Sequence, residues 1–266
     1  MNPGLEIIIP VRNPDSALAQ SVASLVAQTN REFGVVLSDN FSSAGLDGVA
    51  DAVKQLTSAG IAVRRVKPPF ELKPIEHWNW AHSQAQADWL KPLAAGAQLK
   101  PAYVETVKQR IGQQPKAQLI RCEIESTAGD NAARAPFSQA SVTPVEFLNY
   151  FPTHVRWMDG CANVAYGRTA WLAVGGYSPQ FPGRAALNLN VILALHYGLE
   201  NVSERLVAFG TLGEFTLNEA RGQRVNQWLE LWLVLRQARN YCLAGKLPWS
   251  KEWLLPRALA ASMGRG

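Results

Sequence analysis

Two rhythms of apolar residues alternate along the chain: short continuous runs rich in β-branched residues, and longer stretches in which apolar positions recur every three to four residues. Ile7-Ile8-Ile9 predicts a first central strand. Asn13-Pro14 predicts a helix start, with asparagine as cap and proline at the first helical position, and Leu18, Val22, Leu25 and Val26 carry that helix to about Gln28. Phe33 to Leu37 reads as the second strand, ending in a turn at Ser38-Asp39-Asn40. Val49, Ala52, Val53 and Leu56 form the stripe of a second helix, closed by Gly60 before a strand at Ile61 to Val66. The same reading gives a helix at Glu76 to Ala87, a strand at Trp89 to Leu93, a helix opened by Pro101, and a strand at Ala117 to Glu123.

Ser126 to Ala140 is small and polar without a period, and reads as a surface loop. Beyond Pro144 the pattern predicts a short helix, a helix at Arg168 to Val174 stopped by Gly175-Gly176, an apolar helix at Leu187 to Tyr197, a strand at Arg205 to Phe209, and a long helix at about Asn218 to Ala244. Strands alternating with helices point to an α/β fold with a mixed, mostly parallel central sheet flanked by helices. Residues 1–215 are expected to form this single domain and residues 216–266 a C-terminal helical extension. No repeat of 20 to 50 residues is present, which removes solenoids.

Composition changes this picture little. The chain has 266 residues, 47% of them hydrophobic, enough for one sizeable core without metal or disulfide staples. The three cysteines, Cys122, Cys161 and Cys242, lack ligand spacing, which fits a reducing cytoplasm. Leu5 to Val11 carries Glu6 and Pro10 and lacks a basic leader, so it reads as a strand and not a signal peptide. No apolar stretch has the length of a membrane-spanning helix. The net charge of +5 fits an anionic small molecule or a membrane face, and without a basic stripe interleaved with aromatics it gives nucleic acid no support. The tail from Trp249 to Gly266 is basic and aromatic, suited to peripheral contact with an anionic membrane, to a homodimer through the C-terminal helices, or to covering the sheet domain.

Ligands of parallel α/β sheets bind beyond the carboxyl ends of strands. After the first strand stand Pro10, Arg12 and Asn13; after the second stand Asp39, Asn40, Ser42 and Ser43. A carboxylate, amides, hydroxyls and a guanidinium suit a nucleotide, with Asp39 placed to accept the imide N–H of a uracil-type base. A cap at Asn13 and a turn at Asp39-Asn40 account for the same spacing structurally. No G-x-G-x-x-G or P-loop pattern is present. Trp78 and Trp80 flank Asn79, and Trp157 precedes Asp159; stacking on a sugar and core packing are both open to these rings.

The run Leu5 to Asn13, the helix ending Gln28-Thr29 and the segment Phe33 to Ser43 resemble the opening of a family 2 glycosyltransferase with the GT-A fold. The similarity continues at Glu76-His77-Trp78-Asn79-Trp80, at Ala87 to Leu93, at Leu99-Lys100-Pro101 and at Gly160 to Arg168 followed by Gly175-Gly176-Tyr177. It implies a nucleotide-diphosphate sugar donor, a UDP-sugar first, with Pro10, Arg12, Asn13, Asp39, Asn40, Asn79 and Lys91 binding the nucleotide. It further implies transfer to a hydroxyl of a glycan or lipid-linked acceptor in bacterial surface polysaccharide assembly; the expected location is the cytoplasm, with the basic, aromatic tail leaving peripheral contact at the inner membrane face open.

Two departures accompany the resemblance. The family places acidic ligands for Mg²⁺ or Mn²⁺ after the fourth strand, where this chain has Ala94-Ala95-Gly96-Ala97, so Gly96 and Ala97 occupy the acidic positions. The family places an acidic general base after the Gly-Gly-Tyr segment, where this chain offers Asn188 and Asn190, amides that bind a hydroxyl but take no proton. Substitutes are Arg12, Lys73, Lys91 or Lys100 for the charge of the cation, and Asp159 or His196 as base. A homologue that binds nucleotide, glycan or partner without catalysis is the alternative reading.

Overall fold

The computed structural model describes residues 4–14, 16–43, 48–125, 136–137, 139–150, 155–158 and 160–209, with 234, 236–238 and 240. Nine strands form one sheet among these residues: β1 (Leu5–Val11), β2 (Gly34–Asp39), β3 (Ala62–Val66), β4 (Trp89–Pro92), β5 (Ala97–Leu99), β6 (Leu119–Glu125), β7 (Ser141–Val142), β8 (Val164–Gly167) and β9 (Leu199–Phe209). Their order is β3-β2-β1-β4-β8-β6-β9-β5, with β7 also on β9. β1, β2, β3 and β4 are mutually parallel, β8 runs against both β4 and β6, and β9 is parallel to β6. Six strands therefore point one way and β5, β7 and β8 the other, a mixed, mostly parallel sheet.

The helices are α1 (Ser16–Val26), α2 (Gly48–Ser58), α3 (Pro74–Ser83), α4 (Tyr103–Gln113), α5 (Pro144–Tyr150), α6 (Arg168–Val174) and α7 (Ala185–Tyr197). The pleat of β1 splits its isoleucines between two cores. Ile7 and Ile9 join Leu18, Val22 and Leu25 of α1, Leu56 of α2 and Val107 of α4; Ile8 joins Trp78 of α3, Phe147 of α5, Trp171 of α6 and Leu193 of α7. Each fully buried Leu or Ile contributes about 1.5–3 kcal/mol relative to exposure. This two-sided burial is why β1 reads as a continuous apolar run.

Several sequence expectations shift. Asn13 is not the cap of α1: it sits at φ 49°, in the left-handed region, and α1 starts at Ser16. α3 starts before Glu76, because Pro74 occupies the first turn and the Glu76 carboxylate accepts the Lys73 N–H at 3.4 Å. It ends at Ser83, four residues short of Ala87. β9 begins at Leu199 and not Arg205, since Glu200 to Val202 already pair with β6. Strands β5 and β7, of three and two residues, carry too few positions for any period. Most of the Ser126 to Ala140 loop and of the Asn218 to Ala244 helix lies outside the described residues. Val234 and Ala238 of that helix are buried in the α7 core.

Candidate functional site

β1 and β2 end level with each other, Val11 opposite Asp39, and the loops that leave them are sewn together. The Asn13 N–H donates to Ser42 Oγ at 2.9 Å, Ser43 N–H donates to Asn13 Oδ1 at 2.8 Å, and Ser42 N–H donates to Asp39 Oδ1 at 3.0 Å. Phe41 adopts φ 58° between them, with Lys67 Nζ 4.0 Å above its ring. Asn40 is consumed in a reciprocal pair with the backbone of Leu72, which folds the β3–α3 loop back over the end of β2. Pro10 is buried in β1, and Arg12 pairs with Glu71 at 2.6 Å, both half-exposed. Such an exposed pair is worth little and exchanges readily for another anion.

Asp39 is 5% exposed and receives Arg65 Nη2 on Oδ2 at 2.9 Å. Burial pushes its carboxyl up, but the Ser42 hydroxyl and N–H and the Arg65 guanidinium outweigh it, and the net displacement is downward. Its neighbour Ser38 points to the opposite face, where Oγ lies 2.8 Å from His77 Nε2. Burial lowers His77 to about 4, so this imidazole is neutral at pH 7. The sequence reading missed Arg65, although two adjacent arginines within an otherwise apolar strand place one on each face.

Pro10, Arg12, Asn13, Asp39 and Asn40 thus lie together at the ends of β1 and β2, with Pro10 in register with Ser38 on the face opposite Asp39. The other expected residues stand elsewhere. Asn79 ties α3 to the turn after α6, its amide donating to Tyr177 O and accepting Tyr177 N–H, each at 2.8 Å. Lys91 is fully buried, its ammonium donating to Pro92 O at 2.8 Å and to Ala162 O, and 5.2 Å from the Tyr103 ring. Lys100 pairs with Glu125, and His196 is exposed at the end of α7. Asn190 bonds Met158 O and Gly160 O, both at 2.8 Å, and accepts the Tyr166 hydroxyl at 2.7 Å. Asn188 donates to Gln237 at 2.7 Å. Asp159 lies outside the described residues. Trp78, Trp157 and Trp171 are buried and pack in the core.

The segment that would hold a divalent cation does not fit one. Ala97 is fully buried in the core. Gly96, at φ +94°, gives its N–H to Ser21 Oγ at 2.9 Å and to Ala17 O at 3.1 Å. Ser21 in turn donates to Ala97 O at 2.7 Å, which clamps the segment onto α1. No side-chain oxygen is offered from Ala94 to Ala97, and among the described residues no group of three or more His, Cys, Asp or Glu could hold a metal ion. No helix among the described residues is long and apolar enough to cross a membrane.

Solved structures share this architecture. Staphylococcus aureus TarS 1–349 in complex with UDP-GlcNAc matches with a TM-score of 0.70 and 12% identity over 88% of this chain and 66% of that one, so the chain spans just under two thirds of that protein. The same TarS fragment in complex with UDP matches at 0.68. The mannosyltransferase PcManGT from Pyrobaculum calidifontis, in complex with GDP-Man and Mn²⁺, matches at 0.64 with 18% identity over 100% of this chain and 76% of that one. At these identities the likeness establishes the fold. No curated protein sequence matches significantly. The sequence model of the family described as glycosyl transferase family 2 matches residues 6–159, more than half of the chain. With the GT-A fold beneath it, the chain belongs to glycosyl transferase family 2.

Proposed function

We propose that the chain binds a UDP-sugar at the tips of β1 and β2 and transfers the sugar to a hydroxyl of a glycan or lipid-linked acceptor, in the assembly of a bacterial surface polysaccharide. The observation that carries the reading is the buried, ionised Asp39 held at the end of β2 beside Arg12 and the Asn13–Ser43 loop pair. A carboxylate accepts the one imide N–H of uracil, and Arg12 has Glu71 as its exchangeable partner in place of a diphosphate. That TarS and PcManGT were captured with nucleotide sugars is consistent with a donor cleft in this fold.

Thermal shift with UDP tests the reading: the wild type is expected to gain stability that grows with the logarithm of UDP concentration above Kd. Asp39→Ala is expected to abolish that gain. An unchanged shift in the variant overturns the role of Asp39.

Because the β4–β5 segment offers no ligand, UDP binding should be the same in EDTA and in Mn²⁺. Titration calorimetry decides this, and affinity that collapses in EDTA and returns with Mn²⁺ contradicts the assignment.

A second reading, binding without transfer, is favoured by the amides of α7. The resemblance sets Asn188 or Asn190 at the base position; Asn190 has both its N–H groups and its oxygen already bonded, and Asn188 donates to Gln237. Release of UDP from a panel of UDP-sugars in the presence of acceptor glycans separates the two: turnover above the spontaneous rate removes the second reading.

A further inference from the structure

Arg65 stands opposite Leu37 in the β2–β3 ladder, and Asp39 lies two residues further along on the same face. That diagonal lets the guanidinium reach the carboxylate at 2.9 Å while its side chain stays 51% exposed. Among the described residues it makes no other hydrogen bond or ion pair, and half of its side chain is open to solvent beside Asp39. The Asp39 carboxylate is occupied by three donors, the Ser42 N–H on Oδ1, Arg65 on Oδ2 and the Ser42 hydroxyl, out of about four acceptor positions. Room is left for a single further donor.

We infer that Arg65 selects the base of the nucleotide, fitting the cleft to uracil and against guanine, an inference that rests on the donor-binding reading above. Uracil presents one N–H between two carbonyls, an acceptor-donor-acceptor edge. The Arg65–Asp39 pair presents a donor beside an acceptor, so the carboxylate takes the imide N–H while the guanidinium meets a flanking carbonyl. Guanine presents one carbonyl followed by two adjacent donor groups, N1–H and the N2 amine. Pairing both requires the two carboxylate oxygens together, and Arg65 holds one of them. A buried donor left without an acceptor makes the wrong base costly.

Calorimetric titration of the full chain with UDP and with GDP tests this. The wild type is expected to bind UDP at least about tenfold more tightly than GDP. Arg65→Ala is expected to reduce that ratio by about tenfold, through weaker UDP and stronger GDP binding. Arg65→Lys, which keeps the charge but not the planar fork, is expected to fall between the two. A ratio unchanged in Arg65→Ala, or equal weakening of both nucleotides, overturns the inference while the donor site stands. Preference of the wild type for GDP overturns it as well. Failure of the folded wild type to bind either nucleotide removes the donor-binding reading itself, and the inference with it.

Discussion

Gly176→Ala is expected to destabilise the protein by about 2–4 kcal/mol. Gly176 adopts φ +69°, and a Cβ there would lie 2.6 Å from Trp171 Cζ2 and 2.7 Å from Asn79 Oδ1. Neither neighbour can withdraw. Asn79 is fixed by its two bonds to Tyr177, and the Trp171 ring stacks on His82, centroids 5.6 Å apart, which itself stacks on Trp78 at 5.8 Å. Interiors packed to crystal-like density transmit such a displacement through the whole stack. The adjacent Gly175 is the internal control: its φ is +84°, but a Cβ would meet nothing within 4 Å. Gly175→Ala therefore carries the left-handed backbone penalty alone, about 1 kcal/mol. Urea unfolding of both variants checks the contrast, and equal losses would mean that the turn after α6 has slack.

Lys91 gives the second large effect, one read in the pH dependence of stability. Burial lowers its ammonium from 10.5 to about 8. Below pH 8 the folded protein carries a desolvated charge that the unfolded chain leaves in water. Between pH 8 and 10.5 the unfolded chain binds more protons than the folded one, so this group makes stability rise with pH. Relative to Lys91→Met, the wild type is expected to gain about 2 kcal/mol from pH 7 to pH 10. The nearby Cys122 thiol, pushed up by burial to about 11, and the Tyr103 phenol, raised well above its ordinary value by burial, act in the opposite direction. Both remain in the variant, where loss of the Lys91 charge, which draws the Cys122 thiol down, leaves that thiol raised further still and adds to the difference at high pH. Parallel pH profiles for wild type and Lys91→Met would show that the ammonium reaches water.

The sequence carried the alternation of strands and helices because burial on two faces writes long apolar runs, as in Ile7-Ile8-Ile9, and burial on one face writes the stripe Leu18, Val22, Leu25. It also placed Pro10, Arg12, Asn13, Asp39 and Asn40 together, since both strand ends are marked by turn residues. What it missed depends on contacts between distant segments. Asn79 and Asn40 look like free amides in a sequence, yet each is spent on a backbone 98 and 32 residues away. Lys91 reads as a surface charge at a strand end until β8 and α4 close over it. Arg65 gained its meaning from a cross-strand diagonal, which no local pattern encodes.

The clamp of Ser21 on the β4–β5 turn decides what an acidic side chain introduced there would meet. An aspartate introduced at Gly96 would have to accept φ +94° and would start from a Cβ 3.5 Å from Ala17, aimed at the first helix and away from the cleft. Position 97 is sealed in the interior, so a carboxylate there would be stranded without water. A carboxylate that reaches a cation from this turn therefore needs coordinated changes on two elements, the turn itself and the first helix that clamps it.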